Sequence, residues 1–415
     1  MFDRWYAETL RKKLTRPYVH LVFGARQTGK STLIEQVLKG AEVIRIDFTR
    51  AAERSRFLVD PDELIRICRS LPRGRQPAYI FIDEAQSVPA IFDAVQHLYD
   101  SDKQRWRFVL CGSSARRLRL TGTNLLPGRS FLHRLFPLTL AERAATPTCD
   151  TPINLPLRLP VSRAVAPRNP FPAADLEARL IYGELPGVVT APKADRANIL
   201  SAYAFVHLEE EMRREALVKD WAAFVRFLRL AARESGQILN YAAISNEAGI
   251  SQPTVKAYYQ LLEDMFIGVR VAAWSGSPRK NLLSTPKFLL FDLGVRHAAA
   301  GLEPSRATVR SNPGPIFEQW VGLELWRRLQ YLGHGELSYL RTRDGAEVDF
   351  IVTFKGRVTP YEVKWTERPT LSDARHLITF LREHPRQAKH GYLVCRCPRP
   401  QQLAKNITAV PWSCL

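Results

Sequence analysis

The amino-terminal third of the chain alternates continuous apolar runs with segments whose apolar residues recur every three or four positions. Short continuous runs predict buried strands, and the three-to-four spacing predicts helices. The predicted strands cover residues 19–23, 42–48, 78–82 and 107–111, and the predicted helices cover residues 31–38, 62–70 and 90–99. Strands that alternate with helices in this order predict a parallel α/β sheet.

The middle of the chain has mainly helical spacing, with two packing helices predicted at Leu208–Val218 and Ala222–Ala232. Two shorter helices, Tyr241–Ala248 and Thr254–Leu262, then surround a turn at Gly249. Ser251 as N-cap, followed by a proline, supports the start of the second of these helices. This pattern predicts a helix-turn-helix, although the same geometry is also a common packing module.

The carboxyl-terminal part returns to strand periodicity. Glu347–Val352 alternates apolar and polar residues, Lys355 and Gly356 form a turn, and a second strand ends at Trp365. A helix is predicted at Phe317–Leu329. A hairpin of this kind with an adjacent helix predicts a second α/β domain.

A proline-rich stretch separates the first domain from the rest. Residues 146–172 contain Pro147, Pro152, Pro156 and further prolines without periodicity, which is typical of a linker or an extended arm. The predicted organisation has four parts: residues 1–143, the linker at 144–178, a helical region at 179–300 and a carboxyl-terminal domain at 301–415.

Charge is the strongest compositional signal. The 415 residues include 60 Lys and Arg against 41 Asp and Glu, a formal net charge of +19. Such an excess favours a polyanionic partner such as nucleic acid, although an arginine-rich proteome would also produce it. The six cysteines are scattered and predict neither a zinc site nor a disulfide framework. No apolar run is long enough for a membrane span and no signal peptide is evident, so we expect a cytoplasmic protein.

The segment that follows the first predicted strand fits a phosphate-binding loop. It reads GARQTGKS from Gly24 to Ser31 and leads into a predicted helix. In such loops the backbone N–H groups face phosphates, the lysine reaches the terminal phosphates and the hydroxyl binds Mg²⁺. The sequence therefore predicts an ATP and Mg²⁺ site formed by Gly24, Ala25, Arg26, Gln27, Thr28, Gly29, Lys30, Ser31 and Thr32.

An acidic pair ends the third predicted strand. Asp83 is placed to hold Mg²⁺, and Glu84 to polarise the water that attacks the terminal phosphate. A glycine turn and an unrelated surface acidic pair are the alternative. The two motifs occur together in strand contexts, which favours the nucleotide site.

Two further residues are candidates for the same chemistry. Ser113 follows the fourth predicted strand and is placed to sense the terminal phosphate, with Ser114 in reserve and a helix N-cap as the alternative. Arg129, which follows a glycine, is the first candidate for an arginine finger supplied to a neighbouring subunit. A solvated basic face is the competing interpretation for Arg116, Arg117 and Arg119.

Two groups of residues suggest other sites. The helix-turn-helix and the basic segment after it would offer DNA contacts from Gln252, Thr254, Lys256, Tyr259, Gln260, Arg279 and Lys280. In the carboxyl-terminal hairpin, Glu362 and Lys364 share one face, with Asp349 on the partner strand. With Glu318 these residues predict a second metal site of restriction-endonuclease type, able to activate water near a phosphate. The alternatives are a charged hairpin edge or a nuclease-like core that has lost catalysis.

The whole chain resembles bacterial and archaeal AAA-type P-loop ATPases that carry a C-terminal domain of unknown function. The residues that carry the resemblance are GARQTGKST at 24–32, FIDEAQ at 81–86, GSSARRL, LLPGRS and FPLT within 112–139, YGELPGVV at 182–189, SQPTVKAYYQLLED at 251–264, TPKFLLFDLGVR at 285–296, EVDFIV at 347–352 and YEVKW at 361–365. The proline-rich insertion departs from the family pattern but contains none of these motifs.

The resemblance implies an AAA-type parallel sheet, a winged-helix middle region and a restriction-endonuclease-like carboxyl-terminal domain. It implies that Gly29, Lys30 and Ser31 carry nucleotide and Mg²⁺, that Asp83 and Glu84 serve hydrolysis, and that Arg129 belongs to a Gly-Arg pair. It also implies a homo-oligomer such as a ring, because AAA-type sites are completed between subunits. The leading hypothesis is a DNA-associated ATPase that moves on or remodels DNA. An ATP-regulated metal-dependent nuclease and an ATP switch acting on a protein partner are the alternatives.

Overall fold

The structure is a computed structural model that describes residues 4–74, 76–113, 126–149, 155–157, 171–214, 218, 220–275, 285–342 and 347–415. These residues form two compact units. Unit 1 comprises Met1–Phe136 together with Asp264–Phe266, and unit 2 comprises Pro137–Glu263 and Ile267–Leu415. Arg279, Lys280, Ser114, Arg116, Arg117 and Arg119, all named as candidates above, lie outside the described residues.

Unit 1 is built on a five-stranded sheet. Its strands are β1 (Val19–Phe23), β2 (Val43–Asp47), β3 (Ala78–Asp83), β4 (Trp106–Gly112) and β5 (Ser130–Arg134). They lie in the order β2-β3-β4-β1-β5, and every neighbouring pair is parallel. The prediction of a parallel sheet at the amino-terminal end is therefore confirmed.

The helices of unit 1 are α1 (Tyr6–Leu14), α2 (Lys30–Val37), α3 (Ala51–Val59), α4 (Glu63–Ser70) and α5 (Ile91–Ser101). β1 and β4 are buried along their whole length, which explains their uninterrupted apolar sequence. Helix α3 and strand β5 were not anticipated. β5 is only partly buried and leaves Leu132 exposed, so its sequence lacks the continuous apolar run that identifies a central strand.

Unit 1 is discontinuous in sequence because Asp264–Phe266 belong to it. The Phe266 ring lies 6.3 Å from the ring of Phe23, at the end of β1. The Arg134 guanidinium lies 5.9 Å from the centre of the Phe266 ring. Phe266 is thus partly buried against the core of the first unit.

A buried chain of polar side chains connects α1 with the edge of this sheet. The Tyr6 hydroxyl lies 2.9 Å from His133 Nδ1, and His133 Nε2 lies 3.0 Å from His20 Nδ1. Burial lowers the pKa of His20 to about 4. Burial, followed by the charge of His20, lowers the pKa of His133 to about 3. Both imidazoles therefore stay neutral in the folded protein down to acidic pH.

We expect unit 1 to lose stability on mild acidification. In the unfolded chain these histidines become protonated below about pH 6.5, whereas the folded unit resists protonation, so acid favours unfolding. Between about pH 6.5 and the folded pKa values, each histidine should cost up to about 1.4 kcal/mol per pH unit. Urea unfolding at pH 7 and pH 5 measures the effect. The free energy of unfolding of the His20→Gln variant should depend less on pH than that of the wild type. An equal pH dependence would contradict the assignment of the effect to His20.

Unit 2 contains eight strands in one sheet: β6 (Gly268–Ala273), β7 (Lys287–Leu290), β8 (Glu336–Arg341), β9 (Glu347–Phe354), β10 (Arg357–Val363), β11 (Gly391–Cys395), β12 (Gln401–Ala404) and β13 (Ile407–Pro411). Their order is β12-β13-β11-β10-β9-β8-β6-β7. β9 and β10 form the antiparallel hairpin predicted from the sequence. Lys355 and Gly356 turn between them with φ of 49° and 74°, the left-handed conformation typical of a tight hairpin.

The helices of unit 2 are α6 (Leu176–Tyr182), α7 (Pro186–Thr190), α8 (Arg196–Ala202), α9 (Leu208–Arg214), α10 (Trp221–Arg233), α11 (Tyr241–Ala248), α12 (Gln252–Asp264, whose last residue counts with unit 1), α13 (Leu293–Ala299), α14 (Arg306–Ser311), α15 (Pro313–Leu332) and α16 (Arg375–Glu383), with a π-helical turn at Tyr203–His207. α15 packs across β8, β9 and β10. A side chain at Gly322 would collide with the Phe350 ring, so glycine permits the close approach of α15 to β9. No helix in the described ranges combines the length and the apolarity needed to cross a bilayer.

The helix-turn-helix pattern corresponds to α11 and α12. Gly249 ends α11 in the left-handed conformation with φ of 68°. The Ser251 hydroxyl accepts a hydrogen bond from the Thr254 backbone N–H at 3.3 Å, as expected of an N-cap. Tyr259 requires a correction. Its ring is fully buried and packs against Phe227 and Phe288, so it belongs to the core and is not available for DNA contact.

Three charged side chains form a buried ionic cluster in unit 2. One Glu184 carboxylate oxygen lies 2.8 Å from Arg143, and the other lies 2.7 Å from Arg179. All three side chains are at most 3% exposed. Burial alone would raise the pKa of Glu184, but the two guanidinium groups outweigh burial and lower it. The Glu184 backbone N–H also donates to Asp292, so the cluster joins several segments of the unit.

The scattered cysteines led us to expect no disulfide, and this expectation is wrong. Cys149 and Cys414 form a disulfide with their Cα atoms 5.1 Å apart. The two residues are 265 positions apart in sequence. Cysteine spacing therefore could not reveal the pair, because only the fold brings the carboxyl terminus to the segment after Arg143.

Candidate nucleotide site

The phosphate-binding loop joins the end of β1 to the start of α2. Gly29 has φ of 86° and Gln27 has φ of 60°, so the loop turns through left-handed backbone conformations. Such a conformation is unfavourable for Gln27 and typical of strained functional loops. Gly24 is required for a different reason, since a Cβ there would collide with the Leu135 carbonyl oxygen. Local sequence and packing together produce the curled loop.

Lys30 is the first residue of α2, and its side chain is buried inside the loop. Its Nζ donates to the carbonyl oxygens of Gly24 and Ala25 at 2.9 and 2.8 Å. The loop is further supported by Thr28, whose hydroxyl donates to the Ala25 carbonyl, and by Arg4, which donates to the Thr28 carbonyl. The ammonium group thus lies in the concave side of the loop, beside the amino-terminal end of a helix. Both features favour an anion.

The second motif lies directly beside the first. The Ser31 hydroxyl donates a hydrogen bond of 2.7 Å to Asp83 Oδ2, at the end of β3. A hydroxyl and a carboxylate at this distance are the ligand types that Mg²⁺ takes in P-loop sites. The residues predicted separately from two distant motifs are therefore brought together by the parallel pairing of β1, β4 and β3.

Glu84 follows Asp83 in a left-handed conformation with φ of 52°. Its carboxylate accepts a hydrogen bond from the Gln86 side-chain amide. The same amide nitrogen lies 3.2 Å from the Ser113 hydroxyl, at the end of β4. Gln86 is buried, and a side chain at Gly112 would collide with its amide oxygen. Gln86 therefore links Glu84, which the sequence predicts to serve hydrolysis, with Ser113, which it predicts to sense the terminal phosphate.

Arg129 forms an ion pair with a residue of its own chain. Its Nε lies 2.7 Å from Asp100 Oδ1 at the end of α5, with the guanidinium side chain about one-third exposed. Ion pairs of this exposure contribute little free energy, so the pair can exchange for a stronger acceptor. The other site residues predicted for the nucleotide, from Gly24 to Thr32, lie in the loop and the first turn of α2.

The residues of α12 that the sequence predicts to contact DNA differ in exposure and in hydrogen-bond partners. Gln252 and Lys256 are exposed, and the Lys256 ammonium lies 5.4 Å from the centre of the Tyr241 ring. Thr254 is partly buried and bonded to Ser251. Gln260 accepts a hydrogen bond from Arg270 on β6. Gln260 is exposed as well, so the exposed predicted contact residues of α12 are Gln252, Lys256 and Gln260.

The acidic residues predicted in the carboxyl-terminal domain lie close together. Asp349 Oδ2 accepts the Val363 backbone N–H at 2.8 Å, and Lys364 Nζ lies 2.8 Å from Glu362 Oε1. Glu318 projects from α15 and accepts a hydrogen bond of 2.9 Å from Lys287 on β7. Within the described ranges, however, no group of three or more His, Cys, Asp or Glu side chains is arranged to hold a metal ion.

These carboxyl groups affect each other through burial and charge. Burial and the neighbouring Asp349 raise the pKa of Glu318 to about 7. Burial and the neighbouring Glu362 raise the pKa of Asp349 to about 7. Burial also raises the pKa of Glu362, although Lys364 opposes the change. The cluster therefore holds protons close to neutral pH.

Sequence reasoning missed two residues of these sites. Gln86 lies two positions after Glu84, and its only signal was its presence in the FIDEAQ segment that supported the family resemblance. Lys287 occurs in the TPKFLLFD segment, far in sequence from the carboxylates it contacts. A lysine inside an otherwise apolar run is the signal that could have found it.

Three family models match consecutive parts of the chain. Residues 16–144 match an AAA domain, residues 173–306 match a domain of unknown function (DUF8612), and residues 313–415 match another domain of unknown function (DUF4143). With the loop geometry described above, the first match supports an AAA-type P-loop ATPase at the amino-terminal end.

The chain is also similar to proteins without an assigned function. Uncharacterized proteins of Mycobacterium bovis and Mycobacterium tuberculosis are each 27% identical over 368 residues, which cover 88% of this chain and 74% of the relative. An uncharacterized protein of Haemophilus influenzae is 23% identical over 363 residues, which cover 83% of this chain and 82% of the relative. The similarity thus extends well beyond the AAA domain.

Among solved structures, a Walker-type ATPase of Pyrococcus abyssi matches with 16% identity and a TM-score of 0.45, covering 72% of this chain and 96% of that one. A RuvB variant of Thermotoga maritima matches with 16% identity and a TM-score of 0.27, covering 68% and 88%. These two matches are distant.

Proposed function

We propose that this protein hydrolyses ATP with Mg²⁺ and couples the hydrolysis to DNA. The ATPase proposal rests on one contact between the two motifs. The Ser31 hydroxyl donates a hydrogen bond to Asp83, beside the buried ammonium of Lys30. The donor set fits a nucleotide with Mg²⁺. Lys30 and the loop N–H groups would hold the phosphates, and Ser31 and Asp83 would hold the metal ion.

The bound Mg²⁺ would neutralise charge that develops on the phosphates. Glu84 would orient and polarise the attacking water. Gln86 holds the Glu84 carboxylate and also contacts Ser113, so it would couple the orientation of the base to the residue proposed to sense the terminal phosphate. Arg129, released from Asp100, would serve a neighbouring subunit of a homo-oligomeric ring.

Removal of the Gln86 amide should lower the turnover rate without weakening ATP binding. In the Gln86→Ala protein, Glu84 loses the donor that orients it, and misplacement of a catalytic group by about 1 Å can cost up to about 10²-fold in rate. Steady-state kinetics should show lower kcat and a similar KM. The exposed Gln104→Ala change is the matched control. A proportional rise in KM with unchanged kcat would show that Gln86 serves binding instead.

The DNA part of the proposal rests on charge and on the middle region. The chain carries a formal net charge of +19. Helices α10, α11 and α12 are followed by the β6–β7 pair, an order of elements that a winged helix also has. Gln252 and Lys256 on α12 would face nucleic acid. Phosphate contacts of this kind predict an affinity that falls steeply with salt.

The ATPase rate in the presence of DNA tests both parts. Wild-type protein and the Lys30→Ala variant would be assayed with single-stranded, duplex and branched DNA across a salt series. We expect DNA to stimulate the wild type, and the variant to be at least about 10²-fold slower because a charge-stabilising group is lost. A Lys30-dependent rate that no DNA changes would instead favour an ATP switch acting on a protein partner.

A metal-dependent nuclease was the other alternative. The proximity of Asp349, Glu362 and Lys364 supports the expected arrangement of a nuclease-like hairpin. The same cluster contains the Lys287 ammonium, which a divalent cation site does not accommodate easily. We therefore assign no cleavage step to these residues.

A further inference from the structure

Lys287 is the most deeply buried lysine outside the nucleotide loop within the described residues. It begins β7, and its side chain is only 4% exposed. Its Nζ lies 2.9 Å from Glu318 Oε1 and 3.1 Å from Glu347 Oε1. The rings of Tyr339 and Phe350 lie 5.2 and 5.9 Å from the ammonium. A buried lysine must be paired, and this one is paired on two sides by carboxylates.

The charge on Lys287 is stable in this environment. Burial alone would lower its pKa, but the carboxylates of Glu318, Asp349 and Glu347 outweigh burial and raise the pKa above its usual range. The group is therefore an ammonium ion at neutral pH. A permanent cation at this position repels a second cation.

The remaining members of the cluster have partners of their own. Lys364 neutralises Glu362 at 2.8 Å, and Asp349 accepts a backbone hydrogen bond from Val363. Lys287 and Lys364 thus supply two internal cations to a group of four carboxyl groups: Glu318, Glu347, Asp349 and Glu362. Glu362 Oε2 is fully buried and has no hydrogen-bond partner among the residues that the structure describes. The two lysine ammonium groups reduce the negative charge that the cluster could offer to Mg²⁺ or Mn²⁺, and they lie against the carboxylates that would have to bind the ion.

We propose that the Lys287 ammonium takes the place of a divalent cation in the carboxyl-terminal cluster, so that this module binds no Mg²⁺ or Mn²⁺ and cuts no DNA. The cluster is then a structural charge network between α15, β7, β9 and β10. This inference does not depend on the ATPase proposal, since none of its residues belongs to the nucleotide site.

Binding of Mn²⁺ to the nucleotide-free, full-length protein at pH 7 tests the proposal. The signal of free Mn²⁺ in electron paramagnetic resonance gives the number of ions bound. Wild type and Asp349→Asn should bind the same number, because the cluster of the wild type takes no ion. Lys287→Met should bind one additional ion, and the Lys287→Met/Asp349→Asn double variant should lose it again. Lys405→Met, at an exposed lysine in the turn after β12, should behave as wild type.

The outcomes separate clearly. An ion that wild type binds and Asp349→Asn loses would overturn the proposal, and Mn²⁺-dependent nicking of plasmid that requires Asp349 would do the same. A folded Lys287→Met protein without the additional ion would show that Lys287 does not occupy a cation position. If Lys287→Met fails to fold, the comparison of wild type with Asp349→Asn still decides whether the native cluster holds a metal.

Discussion

Replacement of Glu84 by glutamine is expected to lower kcat for ATP hydrolysis by about 10²- to 10⁴-fold, the range for loss of a general base. The amide keeps the size of the side chain but cannot accept a proton from water. Gln86 would still contact the side-chain oxygen, and the contacts among Lys30, Ser31 and Asp83 do not involve Glu84. ATP binding should therefore persist.

Equilibrium binding of a fluorescent ATP analogue and a single-turnover hydrolysis assay distinguish these two effects. Glu8→Gln is the matched control, because Glu8 pairs with Lys12 on the half-exposed surface of α1. It should leave both measurements unchanged. Hydrolysis by Glu84→Gln at the wild-type rate would remove Glu84 from the proposed mechanism and would require another base near Asp83.

Replacement of Glu184 by glutamine should destabilise unit 2 by about 3–5 kcal/mol, the usual cost of removing one partner from a buried ion pair. The change leaves Arg143 and Arg179 buried without their common counter-ion. Because ionic pairing lowers the pKa of Glu184, its stabilising effect is present above the carboxyl pKa of the unfolded chain. It is lost as the pH falls through the lower pKa of the folded protein.

Denaturant unfolding followed by tryptophan fluorescence measures this change, since Trp320 Nε1 lies 3.5 Å from Glu184 Oε1. Glu177→Gln provides the control. Glu177 pairs with Arg306 and Arg310 at the surface, so its loss should cost less than about 1 kcal/mol. Equal unfolding midpoints for the two variants would mean that the buried cluster adds little to stability.

Contiguous motifs were the part of the molecule that sequence could predict. The nucleotide loop, the acidic pair at the end of β3 and the β9–β10 hairpin each depend on short-range geometry, so residue type and spacing determine them. The two helices on either side of Gly249 were also predictable, because Gly249 and Ser251 mark the end of one helix and the start of the next.

Residues that act through long-range contacts were not predictable in the same way. Lys287 meets Glu318 only because β7 and α15 pack in one domain. Cys149 and Cys414 meet because the last strand returns to the segment after Arg143. Tyr259 has the polar character of a contact residue, yet tertiary packing buries it. In each case the pattern along the chain carries no information about the distant partner.

Because Asp264–Phe266 belong to unit 1, the codons for this unit are not contiguous in the gene. A gene fragment that encodes only the residues up to Phe136 would lack Phe266, whose ring lies near Phe23 and Arg134. Such a fragment would encode unit 1 without one of the apolar side chains that pack against its core. A gene segment that encodes every residue of unit 1 has to extend as far as the codon of Phe266.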